Sequence, residues 1–266
     1  MRCIFCKSQT STSEPLEHII PESLGNKDHI LKRGVVCGRC NNYFSHKVEK
    51  LFLELFPIKA LRFYEAIPSK KKRIPSLTGI IFPDLAVIEA VRNAKNGNMS
   101  LYIPEENHSV ISFGKTGQFI LPAATPLEAS LIISRFMAKI AVEALAYRVE
   151  TNDEWMMQLV DNKQLDLVRN HARYGVISNW PVSVRRIYDT STRWNNNEDS
   201  AYQIVHEFDF LRTDSNEIYF VLAIFGEEIV MNIGGPNLEG WKTWISKNDN
   251  ASPLYHGKNT NRETKL

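Results

Sequence analysis

Downstream of residue 40 the apolar side chains Tyr43, Val48, Leu51, Phe52 and Leu55 approximate a stripe at i, i+3/i+4. That spacing predicts a helix whose apolar face is buried, with Pro57 marking a kink or break. Asn41 and Asn42 then fall at the helix start, where an asparagine is a favoured cap. A second helical pattern fills TPLEASLIISRFMAKIAVEALAYR, in which Thr125 reads as the N-cap, Pro126 suits the first turn and Glu128 completes a capping box. Leu131, Phe136, Ile140 and Leu145 form a wide apolar band, so this helix is expected to be largely buried. Arg135 and Lys139, four apart, are placed on its polar side, with a phosphate-facing pair as the alternative.

Short β-rich runs dominate elsewhere. SLTGIIF, MSLYIP, HSVISF, QFILP, SVRRIYD, YQIVHEFDFL, IYFVLAIFG and EIVMNIGG are separated by Gly, Asn and Asp turns, and the last three predict a meander with DSNE as one connection. WNNNEDS, residues 194–200, reads as a polar loop. Gly234 to Pro236 reads as a turn, because no phosphate-binding glycine pattern surrounds it. His206 and Glu207 are expected as ordinary strand positions, and His29 as a polar surface residue. The whole points to an α+β fold of antiparallel sheet packed on helices.

A chain of 266 residues can bury a sizeable core, and two domains of unequal size are expected. The basic run PSKKKRIP, flanked by prolines, is read as the linker, giving an N-terminal domain over 1–67, a linker over 68–76 and a larger α+β domain over 77–266. No run approaches the roughly 18 to 20 apolar residues of a membrane span, and the N-terminus lacks the apolar region of a signal peptide. A cytoplasmic location is expected. The formal net charge of +2 hides an asymmetry: residues 1–73 hold fourteen Lys/Arg against seven Asp/Glu, while the remainder is acidic. The basic end suggests a polyanion partner, with a solvated basic face as the alternative.

The four cysteines change the picture. Cys3-Ile-Phe-Cys6 and Cys37-Gly-Arg-Cys40 share the C-x-x-C spacing, with thirty residues between the pairs. Four thiolates make a closed tetrahedral zinc site with no open position for water, which also disfavours a hydrolase built on the cysteines themselves. No thioredoxin-like βαβ pattern supports a redox reading. Between the knuckles stands LEHIIPESLG, in which Glu17 and His18 precede the strand-ending Pro21.

CIFC, EHIIPESLG and GVVCGRCNNYFSHKVEK together resemble the zinc-containing branch of the HNH nucleases, over about the first fifty residues. The resemblance implies a ββα-metal core stapled by structural zinc on Cys3, Cys6, Cys37 and Cys40. It implies His18 as general base and Glu17 and Asn41 as ligands of one catalytic Mg²⁺ or Mn²⁺, with His46 a further helix histidine that either ligates or faces solvent. For Asn41 the alternative is simple N-capping. Hard oxygen ligands suit those ions, and neutral imidazole suits proton abstraction from water.

The expected protein is thus an endonuclease hydrolysing phosphodiester bonds of nucleic acid, with DNA favoured by family. At the level of architecture it resembles prokaryotic restriction and phage-defence effectors. Arg33, Arg39, Lys47, Lys70, Lys71, Lys72 and Arg73 are the residues expected to meet phosphates. The C-terminal domain is expected to select substrate, a protein partner or an activating signal, or to form a homo-oligomer. The rival reading is a zinc-stapled nucleic-acid-binding or adaptor protein that has lost catalysis.

Overall fold

The computed structural model describes residues 1–108, 117–188, 194–195, 201–202 and 206–254. The strand predicted from HSVISF lies outside the described residues beyond His108, WNNNEDS lies outside them beyond Asn195, and YQIVHEFDFL is interrupted by 203–205, also outside them. The chain opens with a two-residue antiparallel ladder, β1 (Glu17–His18) on β2 (Ile30–Leu31), and continues into α1 (Gly38–Phe44), a π turn (Ser45–Glu49) and α2 (Lys50–Glu54). Then come α3 (Phe56–Tyr64), β3 (Leu77–Phe82), β4 (Ala86–Arg92), β5 (Met99–Tyr102) and β6 (Gln118–Ile120). Three helices follow, α4 (Leu131–Val149), α5 (Asp153–Asp161) and α6 (Asp166–Tyr174). The order closes with β7 (Ser183–Arg186), β8 (Trp194–Asn195), β9 (Ala201–Tyr202), β10 (His206–Arg212), β11 (Ile218–Ile224), β12 (Glu227–Asn232) and α7 (Glu239–Lys247).

Backbone proximity groups these elements into two compact units. The first joins Met1–Pro21, Asn26–Phe52 and Pro126–Leu266, and the second joins Glu22–Gly25 to Leu53–Thr125. The stretch 68–76 lies inside the second.

In the first unit α4 is buried almost all round, Ile133 to Ala146 including Ser134, Lys139 and Glu143. Such a helix is a core element and not a surface one. It starts at Leu131, later than its sequence predicts, because Ser130 Oγ accepts the Ile133 N–H, so Thr125, Pro126 and Glu128 precede the helix and cap nothing in it. Phe136 stacks on Phe52 with ring centroids 3.7 Å apart, fixing the N-terminal helical segment to α4. Arg135 donates to the carbonyls of Ala172 and Arg173 at the end of α6, which satisfies carbonyls that a helix C-terminus leaves open. The antiparallel sheet runs β10-β11-β12-β7, so the predicted meander is present, and β12 packs on α4. Tyr219, Val221, Ala223 and Val230 pack with Trp241 of α7.

The predicted stripe after Cys40 is shifted. The buried residues are Cys40, Phe44, Val48 and Phe52, spaced by four, whereas Leu51 is 44% exposed. Four residues advance an α-helix about 40° beyond a full turn, so a spacing of four would drift off the core within a few turns. The π turn absorbs that drift, with Lys50 N–H bonded to Ser45 O. Pro57 opens α3 where the break is predicted.

The second unit packs α3 on the sheet β5-β4-β3-β6 around Ala60, Phe63, Leu77 and Ala90. Strand β4 is missing from the predicted runs although Ala86, Ile88 and Ala90 alternate inward, because two of its three inward residues are alanines. Gly79 is required where β6 crosses β3, since a Cβ there would sit 2.5 Å from the Ile120 carbonyl. Lys70, Lys71, Lys72 and Arg73 form an exposed turn closed by Ser69, which accepts from Lys72 N–H and donates to Arg73 O. Among the described residues no helix is long and apolar enough to cross a membrane.

Candidate functional site

The two C-x-x-C pairs meet. Ligand atoms of Cys3, Cys6, Cys37 and Cys40 all lie within 4.8 Å of one another, and Cys6 Sγ is 3.6 Å from Cys37 Sγ. Tetrahedral zinc with Zn–S of about 2.3 Å places its sulfurs about 3.8 Å apart, so the donor set fits the ion. The first knuckle is a tight turn in which Lys7 N–H returns to Cys3 O, and Lys7 takes a positive φ of 59°. The second knuckle is the start of α1. Cys37 is its N-cap, with Sγ accepting from Cys40 N–H at 3.4 Å, and Glu14 Oε2 accepts from Gly38 N–H at 2.6 Å. A side chain at Gly38 would collide with that carboxylate, its Cβ lying 2.9 Å from Oε2. A hydrogen bond from Cys40, helped by backbone N–H groups, holds the Cys3 thiol down at about 4 against the effect of burial, and the same bond pushes Cys40 upward. The cluster therefore favours a thiolate, the form that binds metal.

Between the knuckles the Glu17–His18 strand is braced from two sides. Asn26 is fully buried and supplies the first brace: its Nδ2 donates to Ile20 O and His29 O, and its Oδ1 accepts from His29 N–H. Since Ile19 N–H also bonds His29 O, one amide fixes the end of β1 against the start of β2. His29 is buried, contrary to its expected surface position, with its ring edge-on to Phe208 and Tyr147, and burial lowers its pKa.

Lys139 supplies the second brace. It does not escape to a polar face as its sequence suggests; it is fully buried, with Nζ 2.7 Å from Glu17 Oε1, 2.7 Å from Glu49 Oε1 and 2.9 Å from Glu143 Oε2. The same ammonium reaches His18 O at 3.2 Å and Ile19 O at 3.4 Å. Three carboxylates around one ammonium are what burial of a lysine demands, because an unpaired charge in a dry site is costly. Burial pushes Glu143 well above the ordinary carboxylate range. Glu17, read as a metal ligand, is thus 5% exposed and ion-paired.

Asn41 lies inside α1 and not at its cap, and its Nδ2 donates to Leu16 O at 3.2 Å, beside Glu17. His18 is half-buried, while His46 is exposed on the π turn. Among the basic residues, Arg33 donates to Glu14 O, Arg39 is exposed beside Cys6, and Lys47 is exposed. Asn26, Glu49, Lys139 and Glu143 escaped sequence reasoning. Asn26 alone carried a signal, an asparagine in the ten residues after the Glu-His pair, where a loop needs a side-chain bridge.

Residues 3–57 match the HNH endonuclease family. No curated protein and no solved structure matches the chain. The matched segment runs from the first cysteine to the proline that opens α3, so thiol cluster, Glu17, His18, Asn41 and Glu49 all fall within it, whereas Lys139 and Glu143 fall outside. That segment is similar to an HNH endonuclease module.

Proposed function

We propose that the protein is a metal-dependent endonuclease in which His18 is the general base and Glu17 and Asn41 hold one Mg²⁺ or Mn²⁺. The observation that supports this best is a convergence: within the matched segment, Asn41 is tied to Leu16, the residue before Glu17, and the Glu17–His18 strand is fixed by Asn26 and Lys139. Glu17 offers a carboxylate, and Asn41 offers the oxygen of an amide whose nitrogen is turned to Leu16. Both donors are hard oxygens, which fit those ions. When bound, the ion supplies positive charge to the phosphoryl and leaving oxygens and acidifies water.

The chain's own residues do the rest. Neutral His18 takes the proton of the attacking water, a general-base role that imidazole side chains commonly fill. The ladder of β1 on β2 and the Asn26 bridge hold the His18 backbone, so the ring is presented from a fixed strand. Exposed Arg33, Arg39 and Lys47 neutralise phosphates, as does the separate turn of Lys70, Lys71, Lys72 and Arg73. DNA is the proposed substrate, and restriction or phage defence the proposed setting, with the remainder of the chain selecting target or signal.

The ion pair on Glu17 favours a second reading, a zinc-stapled binding or adaptor module without catalysis. Incubation of the full chain with supercoiled plasmid, single-stranded DNA and RNA, in Mg²⁺, Mn²⁺ or EDTA, separates the two. Nicked or linear plasmid in the divalent ions and none in EDTA is expected. Retained binding without cleavage of any substrate would establish the adaptor.

A further inference from the structure

Resting on the nuclease reading, we propose that Lys139 is a positioning residue for His18, delivered by α4 from outside the segment that carries the chemistry. Five oxygens surround its ammonium, and three of them belong to consecutive residues: the Glu17 carboxylate, the His18 carbonyl and the Ile19 carbonyl. One buried cation therefore holds the residue before the imidazole, the residue that bears it and the residue after it. The other two oxygens, from Glu49 and Glu143, anchor the cation itself. Glu143 stands one turn along the same helix and is fully buried, so the ammonium is fixed from behind by its own element. Glu49 comes from the π turn, whose wider winding also keeps Val48 and Phe52 on the core.

A lysine ammonium has three N–H donors and five oxygens in reach, so the contacts act as a charge on a set of dipoles and not as five separate hydrogen bonds. That character makes the site sensitive to where the charge sits. Displacing the cation along its long axis moves the strand backbone on both sides of His18, and misplacement of a catalytic group by about 1 Å is worth on the order of a hundredfold in rate. Because α4 is a rigid core helix stacked on Phe52 through Phe136, the base is referenced to the interior of the first unit and not only to its own short ladder.

Two variants of the full-length protein test this. Lys139→Arg keeps the charge and moves it, and Lys139→Met with Glu143→Leu removes the inner pair while leaving Glu17 and Glu49 in place. Expected in a variant that retains zinc and a cooperative melt is a fall in kcat of about tenfold or more with KM for plasmid nearly unchanged, since substrate binding does not use Lys139. The ring resonances of His18 should move in histidine-labelled protein while those of His171, buried elsewhere and bonded to Ser134, stay in place. A folded variant with wild-type kcat and an unmoved His18 resonance overturns the proposal. Failure of both variants to fold with zinc bound also overturns it, because Lys139 would then be a stability element inseparable from the core. If the wild-type chain itself cuts nothing, the nuclease reading fails, and the His18 resonance still decides whether Lys139 places the strand.

Discussion

Two clusters in the first unit do comparable work by opposite means. At the cysteine cluster four thiol ligands from two knuckles are gathered where they could close around a cation taken from solution. At the Lys139 cluster three carboxylates from three elements close around a cation that the chain supplies itself. The first staple is local, joining residues 3–6 to 37–40, whereas the second joins residue 17 to residue 139. A metal staple would be lost by chelation or with one thiol, whereas the lysine staple is built into the core. The matched segment contains the whole of the first cluster and only part of the second.

The comparison is broken most severely by Cys37→Ser, which removes a thiolate and the cap of α1 together. Structural zinc sites hold about 10 kcal/mol or more of folding free energy, comparable to the whole stability of a domain. Metal analysis should find the zinc lost, and near-ultraviolet dichroism should show the N-terminal segment unfolded, with an unchanged melt arguing that the cysteines are merely packed thiols. His18→Ala comes next. It should lower plasmid cleavage by about 10²–10⁴-fold while zinc content and melting temperature stay at wild-type values, because the cysteine cluster does not include His18 and Lys139 reaches its backbone carbonyl, which alanine keeps. Near-normal cutting by that variant would remove His18 from the base role.

Asn26→Ala tests whether the strand between the staples needs its own bridge. It leaves buried backbone groups of Ile20 and His29 without their amide partner, a loss of about 1–3 kcal/mol. Denaturant titration should report that loss, and an unaltered midpoint would show that the two staples suffice. The smallest effect concerns Glu207, a buried carboxylate served by the Tyr188 hydroxyl at 2.7 Å. Burial raises it from 4.5 to about 7, so the folded chain retains a proton that the unfolded chain releases. The stability it adds is full below about pH 4.5, falls as the pH rises and is gone above about 7. Glu207→Gln should flatten the decline in melting temperature over that interval, and an unchanged slope would assign the decline to other groups.

Much of the site is legible along the chain because its parts are close in sequence. Two identical cysteine spacings, a Glu-His pair ahead of a proline, and an asparagine directly after the second knuckle are local patterns, and the loop chemistry that joins them is local too. The meander is equally readable, since β10, β11 and β12 are consecutive apolar runs joined by short turns. The start of α4 misleads for a local reason: Thr125, Pro126 and Glu128 carry a cap signature, whereas the helix that packs from Ile133 onward is capped by Ser130.

The sequence by itself determined the grouping of the four cysteines, the position of the Glu-His strand, the helix after the second knuckle and the α+β class, each fixed by spacing or period. Tertiary structure alone decided that α4 shares a compact unit with the N-terminal segment, that Lys139 is interior, and that Glu17 meets it beside Glu49 and Glu143. A lysine on a helix reads as a surface residue until its acidic partners are known, because no local pattern offsets the cost of burying its charge. Those partners come from 122 residues upstream at Glu17 and from 90 at Glu49. Only folding brings them within 3 Å of one ammonium, and only there does the charge become an element of the core.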